Sequence, residues 1–242
     1  MHDALKKRIV STWSREFGLD EVTLTTPGTT LLVDEDRDEA NWLIFWVAGE
    51  QVVIPIAPTM KDDLEAVLSD FPSDHRLSAA DLTMAWAEHS LRTHADKFYV
   101  LDDTQFEAFV PDEKYSVRVL TPDDEAAFAA FQAQCTEQER EEGEISIGDE
   151  IATGVFDGER IVSGASMYEW RHFADIGVLV DPAYRKQGLG KAAVSLLCER
   201  LMQDERVVCY RHDKNNRGSQ GVAQGLNLRL IATIHALRRI TD

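Results

Sequence analysis

Apolar positions along this chain recur at two spacings, and the switches between them mark its elements. Leu5, Ile9, Val10, Trp13 and Phe17 fall at helical intervals, which predicts an amphipathic helix over residues 4–17. Residues 23–33 are rich in Thr, Leu and Val and read as short strands. Residues 42–56 read as a hairpin turning at Gly49. Thr59 and Ser78 are placed to cap helices over residues 61–71 and 79–91, and residues 97–101 read as a further strand. The polar stretch Pro111-Asp112-Glu113-Lys114 is the expected boundary between an N-terminal α/β region, residues 1–112, and a second domain, residues 113–242.

The second domain has a simpler rhythm. A strand over 116–120 leads into Thr121-Pro122-Asp123-Asp124, a helix start with a cap, an early proline and acids in the first turn. The helix continues to Cys135. Three strands follow over 151–156, 159–168 and 173–180, the first two joined at Asp157-Gly158. A helix over 189–202, a strand over 207–211, a short helix over 219–225 and a strand over 228–237 complete the order. The expected class is α/β (α+β), a mixed sheet flanked by helices.

Chemistry concentrates between the third of those strands and the long helix. Ile176, Val178, Leu179 and Val180 make a buried strand, and Pro182 ends it because proline cannot donate to a ladder. Leu189, Ala192, Ala193, Leu196, Leu197 and Leu201 give the helix its apolar stripe. Between them, Arg185-Lys186-Gln187-Gly188-Leu189-Gly190-Lys191 forms the turn. Two glycines permit close backbone approach, and the first amides of a helix lack internal partners. The positive end of the helix dipole and three cations then make an anion site suited to phosphate.

Gly188-Leu189-Gly190-Lys191-Ala192-Ala193 also fits a dinucleotide fingerprint, with Asp213 about 20 residues further on. Its context does not fit. Residues 181–187, Pro182 among them, separate strand from glycines, and only 52 residues follow Gly190. That is too little chain for the rest of a doubly wound sheet.

The order Val178-x-Val180-Asp181-Pro182-x-Tyr184-Arg185-x-x-Gly188-x-Gly190 closely resembles the central motif of the GNAT acyltransferase superfamily. The resemblance covers roughly residues 115–242 and implies a GNAT-like mixed sheet. It implies that Arg185, Gly188 and Gly190 bind the diphosphate of acyl-coenzyme A, cradled by the backbone amides from Lys186 to Lys191, those of Gln187 and Leu189 included. Leu179 and Val180 would offer backbone groups to the pantetheine arm and acyl carbonyl. Asn216 and Ser219 match part of a later family motif and would lie near the coenzyme. Ala223, however, stands at the approximate place of the family's tyrosine, often the acid that protonates the leaving thiolate. Tyr210, Tyr168 and Tyr184 are the stand-ins. Asp175 sits near the position of one family base, with Glu169 and the acid-rich stretch Glu137 to Glu150, Glu144 in particular, as alternatives. Glu141, Glu142 and Glu144 would border the acceptor mouth. The family ends in two strands where this chain has one, so the N-terminal region is expected to supply the missing partner or cover that edge.

The resemblance implies an N-acyltransferase, by default moving acetyl from acetyl-coenzyme A to a small-molecule or peptide amine by direct attack in a ternary complex. The competing class is a non-catalytic acyl-coenzyme A-binding module. Charge bears on both. Residues 182–242 hold 11 Lys/Arg against 5 Asp/Glu, net +6, leaving 14 against 38, net −24, in residues 1–181. The basic segment coincides with the anion site, while the acidic remainder suits a cationic acceptor or a soluble surface. A net charge of −18 argues against nucleic acid and anionic membrane as partners. Cys135, Cys198 and Cys209 are unpatterned, as are His172 and His212, so neither disulfides nor a metal site is expected. With no apolar run of membrane-spanning length and no signal core, a cytoplasmic protein is expected, and a homodimer is left open.

Overall fold

The computed structural model describes residues 1–37, 43–87, 91–202 and 204–239. Two compact units divide the chain: Met1–Phe98 with Ala232–Asp242, and Tyr99–Ile231.

The first unit opens with α1 (Asp3–Phe17), which buries Leu5, Ile9, Val10, Trp13 and Phe17 as its spacing predicts. Helix α2 (Glu21–Thr25) replaces part of the strand expected over residues 23–33. Asp20 is the cause: its carboxylate accepts from the Thr23 amide at 2.9 Å and caps a helical turn. Strands β1 (Gly28–Val33), β2 (Leu43–Ala48) and β3 (Gln51–Ile56) follow, the last two turning at Gly49, whose φ of 68° suits glycine. The expected hairpin start at Trp42 lies outside the described residues.

Thr59 does not cap α3 (Lys61–Ser69); it lies inside a 3-10 turn, Pro58–Met60, that Pro58 begins. Ser78 does cap α4 (Ala79–Ala85), in a reciprocal box with Asp81. Residues 88–90 of the helix expected there lie outside the described residues. Strand β4 (Leu91–Val100) is longer than expected. Trp13 stacks on Phe17 at 5.2 Å and packs against Trp46 and Phe98.

The second unit carries β5 (Tyr115–Val119), α5 (Glu125–Gln132), α6 (Glu137–Gly143), β6 (Ile151–Asp157), β7 (Arg160–Trp170) and β8 (Phe173–Val180). Then come α7 (Leu189–Leu201), β9 (Val208–Asp213), α8 (Arg217–Gly225) and the start of β10 (Arg229–Arg239). The elements follow the expected sequence, with α6 added in the acid-rich stretch by a capping box between Thr136 and Glu139.

The strand order of the second unit is β9-β8-β7-β6-β5. Its β5 to β8 strands pair antiparallel and β8 pairs β9 in parallel. Helix α7 buries Leu189, Ala193 and Leu197 among Val155, Ala165 and Ile176. On the other side, Phe128, Phe131 and Ile145 pack with Ile161 and Leu179. Strand β10 returns to the first unit, where it pairs antiparallel with β2, His235 opposite Phe45, in the order β1-β3-β2-β10-β4. Among the described residues it is the one strand after α8, and N-terminal strands flank it.

The units divide at Phe98/Tyr99 and not at Pro111–Lys114. That polar stretch turns within the second unit, where the Tyr115 amide donates to the Asp112 carbonyl at 2.9 Å.

Candidate functional site

Strands β8 and β9 begin side by side, Ala174 opposite Val208 and Asp175 opposite Cys209. No pairing continues beyond Asp175 and Cys209, although β8 runs to Val180 and β9 to Asp213. Two parallel strands that part in mid-sheet leave main-chain groups without ladder partners and open a cleft.

The turn after β8 arrives at α7 through Gly188, whose φ of 80° is left-handed and which supplies no side-chain cap. The first internal bond of the helix runs from the Ala192 amide to the Gly188 carbonyl at 3.0 Å. The amides of Leu189, Gly190 and Lys191 therefore precede any helical acceptor. Gly190 lets the helix start lie against the strand end; a Cβ there would sit 3.1 Å from Val180 Cγ2.

A cavity of about 720 Å³ opens at this helix start. Its walls are the end of β8 (Val178, Leu179, Val180), the turn (Tyr184, Arg185, Lys186, Gly188, Leu189, Gly190, Lys191) and the start of α8 (Asn216, Arg217, Gly218, Ser219). Glu139, Glu142 and Gly143 of α6, with Gly221 and Val222 of α8, complete it. Every residue expected at the coenzyme is among these except Gln187, whose Oε1 accepts instead from the Tyr115 hydroxyl at 2.8 Å. Asn216 spends its side-chain oxygen on the Ser219 amide at 3.0 Å, capping α8. Lys191 Nζ lies 4.3 Å from the centre of the Phe109 ring. Four cations and an uncapped helix start suit a diphosphate.

The residues expected to do chemistry gather elsewhere in the unit. Asp175 is 2% exposed, and its Oδ2 accepts from Arg211 Nε at 2.7 Å and lies 2.6 Å from Nη2 as an ion pair. Cys209 Sγ approaches its other oxygen at 3.4 Å. Burial pushes the Asp175 carboxyl up, and Arg211 opposes that push. The guanidinium also lies 3.8 Å from the centre of the Trp170 ring. Tyr168 donates its hydroxyl to Glu144 Oε2 at 2.6 Å and stands 3.2 Å from Asp175 Oδ2. Burial and the neighbouring carboxylates push the Tyr168 phenol up, so it stays a donor.

Of this group only Glu144 is open, its side chain 58% exposed. It occupies a left-handed position, φ 45°, at the end of α6, directly after the cavity-lining Gly143. Helix α6 can end there because Gly177 has no side chain: a Cβ on it would lie within 2.6 Å of the Glu144 carbonyl oxygen.

Two sequence expectations change on this geometry. Asp175 is the partner of a half-buried arginine and, at 2% exposed, has no open face with which to meet an amine. Tyr210 is 2% exposed among core residues and does not line the cavity. Tyr184 lines the cavity, with its hydroxyl donated to Asp157 at 3.0 Å. Ala223, at the family's tyrosine place, is fully buried. Glu169 and Glu141 are not among the cavity-lining residues, whereas Glu142 is.

Sequence reasoning missed Arg211, Trp170 and Arg217, and it named Glu139 only as one acid of the stretch 137–150. Arg211 carried a faint signal, a lone cation between Tyr210 and His212 in an otherwise apolar strand.

Residues 112–226 match the model of the acetyltransferase (GNAT) family. Among solved structures, the chain is similar to an acetyltransferase from the GNAT family of Colwellia psychrerythraea, with TM-score 0.51 and 14% identity over 78% of this chain and 76% of that one. It is also similar to a functionally unknown conserved protein from Staphylococcus epidermidis, with TM-score 0.52 and 11% identity over 86% and 94% of the two chains. A GCN5-related N-acetyltransferase from Kribbella flavida matches with TM-score 0.49 and 14% identity over 66% of this chain. The match spans less than two thirds of that protein, 64% of its length. At such identities the likeness to the first two shows the fold alone. No curated protein matches the chain. Among the described residues, no helix is long and apolar enough to cross a membrane.

Proposed function

Since this chain is a member of the GNAT acetyltransferase family through residues 112–226, we propose that it transfers an acyl group, by default acetyl, from acyl-coenzyme A to a primary amine. The observation that carries this reading is the cavity that joins the end of β8, unpaired on its β9 side, to the uncapped start of α7, lined by Arg185, Lys186, Lys191 and Arg217. A diphosphate in that place would meet amides, a helix dipole and four cations. The coenzyme supplies the chemistry as an activated thioester. Ten residues named from the sequence would hold it: Leu179, Val180, Arg185, Lys186, Gly188, Leu189, Gly190, Lys191, Asn216 and Ser219.

The protein's share of the chemistry is placement, charge and one proton. Where β8 leaves β9, the Val180 amide has no partner on β9, and an amide there would oppose negative charge growing on an acyl oxygen. An amine attacks only in its neutral form, so a base must take its proton. Glu144 is the favoured base: open, one residue from the cavity lining, and oriented by the Tyr168 hydroxyl at 2.6 Å. Asp175 then serves as a positioning residue, holding Arg211 and Tyr168 beneath Glu144. The surrounding acids Glu139 and Glu142 favour a cationic amine over an anionic acceptor.

A second reading has its own support. With Ala223 at the family's tyrosine place, Tyr210 buried and the Tyr184 hydroxyl donated to Asp157, the usual acid lacks a clear counterpart, which suits a module that binds acyl-coenzyme A without turning it over. One experiment separates the two. Titration calorimetry with coenzyme A reports binding, and free-thiol release from acetyl-coenzyme A with a panel of amines reports transfer. Binding with amine-dependent release supports the enzyme; binding without release with any amine supports the module; no binding removes both.

A further inference from the structure

Two carboxylates, Glu139 and Glu142, face the same cavity as Arg185, Lys186 and Lys191. By charge alone, a polyanion site gains nothing from them. Their engagements differ. Glu142 Oε1 accepts from Gln138 one turn back on the same helix, at 2.8 Å. Glu139 Oε1 accepts from Arg185 Nη2 at 2.6 Å, while its Oε2 accepts from the Thr136 amide at 2.9 Å and closes the capping box of α6. Arg185 Nε donates to the Val180 carbonyl at 3.3 Å. One edge of the guanidinium is therefore spent on the protein, and half of that is Glu139.

We propose that Glu139 is an internal competitor for Arg185, resting this on the coenzyme reading above. It holds the guanidinium until a diphosphate takes it. A monoanion meets an arginine already paired with a carboxylate. A diphosphate carries more charge, gains the α7 amides at the same time, and displaces Glu139. The residue thus tunes the site toward polyanions. Because it also caps α6, whose far end seats Glu144 over Gly177, loss of the Arg185 contact removes one tether from the helix that carries the proposed base.

Glu139→Gln tests this cleanly, since glutamine serves equally at that place in a capping box and α6 is retained. Glu142→Gln removes a charge from the same wall without touching Arg185. Coenzyme A is titrated calorimetrically into wild type and both variants. The expected result is binding about fivefold tighter in Glu139→Gln, the scale of a partly exposed ion pair, with less than a twofold change in Glu142→Gln. Unchanged or weaker binding in Glu139→Gln overturns the proposal. Equal tightening in both variants also overturns it, because the effect would then be a general acidic field. A wild type that gives no heat overturns the coenzyme reading itself, and this inference with it.

Discussion

Asp175 and Arg211, 36 positions apart, form a nearly closed ion pair in which one carboxylate oxygen takes both Nε and Nη2 of the guanidinium, at 2.7 and 2.6 Å. The Asp175 side chain is 2% exposed and that of Arg211 is 20% exposed. A charge so withdrawn from water is costly to leave alone. Asp175→Asn keeps the shape, removes the countercharge and is expected to lower the unfolding free energy by about 3 kcal/mol. Urea denaturation measures it. Wild-type stability combined with lost turnover would instead make Asp175 a direct participant in the chemistry.

Glu144→Gln addresses the proton. The variant retains an acceptor for the Tyr168 hydroxyl, so stability and coenzyme affinity are expected within experimental error of wild type. Turnover with amines is expected to fall about 100-fold, the lower range of general base catalysis. A rate within a factor of two of wild type would send the search for the base to another group.

Gly190→Asp acts on the anion site twice. Its Cβ would press on Val180 Cγ2 from 3.1 Å, and its carboxylate would stand at the helix start that awaits a diphosphate. Calorimetry is expected to show no coenzyme A binding, with circular dichroism unchanged. Retained affinity in a folded variant would place the diphosphate elsewhere.

Gly177→Ala tests how α6 is seated. The added methyl would come within 2.6 Å of the Glu144 carbonyl oxygen, backbone that cannot turn aside as a side chain would. Destabilisation of about 1–3 kcal/mol is expected, as for other overpacked sites, together with a drop in turnover larger than any change in coenzyme affinity. Thermal denaturation and steady-state kinetics measure the two. An alanine variant as stable and active as wild type would show that α6 adjusts freely.

Asp124 links stability to pH. It receives Arg118 Nη2 and Nη1 at 2.6 and 2.7 Å and also accepts from the Thr121 amide. Arg118 first, and then that amide, hold its carboxyl well below the usual carboxylate range against the opposing effect of burial. A depressed folded-state pKa contributes stability that is fully present above the unfolded value, about 4. The contribution is lost as pH falls through the folded-state value. Asp124→Asn is therefore expected to cost about 1–2 kcal/mol at pH 7, with the gap to wild type closing progressively below about pH 4. A gap constant from pH 7 to pH 2 would exclude the ion pair as its source.

The turn at the candidate site was legible in the chain because its parts are neighbours in sequence. Pro182, Arg185, Gly188 and Gly190 lie within nine residues, and the local rules for ending a strand and starting a helix suffice to bring them to one point. Element order in residues 115–242 was legible for the same reason, since each element depends on a period and a cap. Where a cap was overlooked, as at Asp20, a helix stood in place of a strand.

The roles of the acids were not legible. Asp175 lies on a strand like any half-polar residue, and nothing nearby in sequence announces that Arg211 will meet it. That depends on the parallel register of β8 with β9, Asp175 opposite Cys209, which places Arg211 two residues beyond on the same face. Glu139 likewise meets Arg185 only through the packing of α6 beside β8. By itself, then, the sequence determined the elements and the glycine-bearing turn between β8 and α7, both governed by interactions a few residues long. Which carboxylate is sealed, which is open and which competes for the arginine was decided by tertiary structure, because charges meet across strands only after the sheet has set their register.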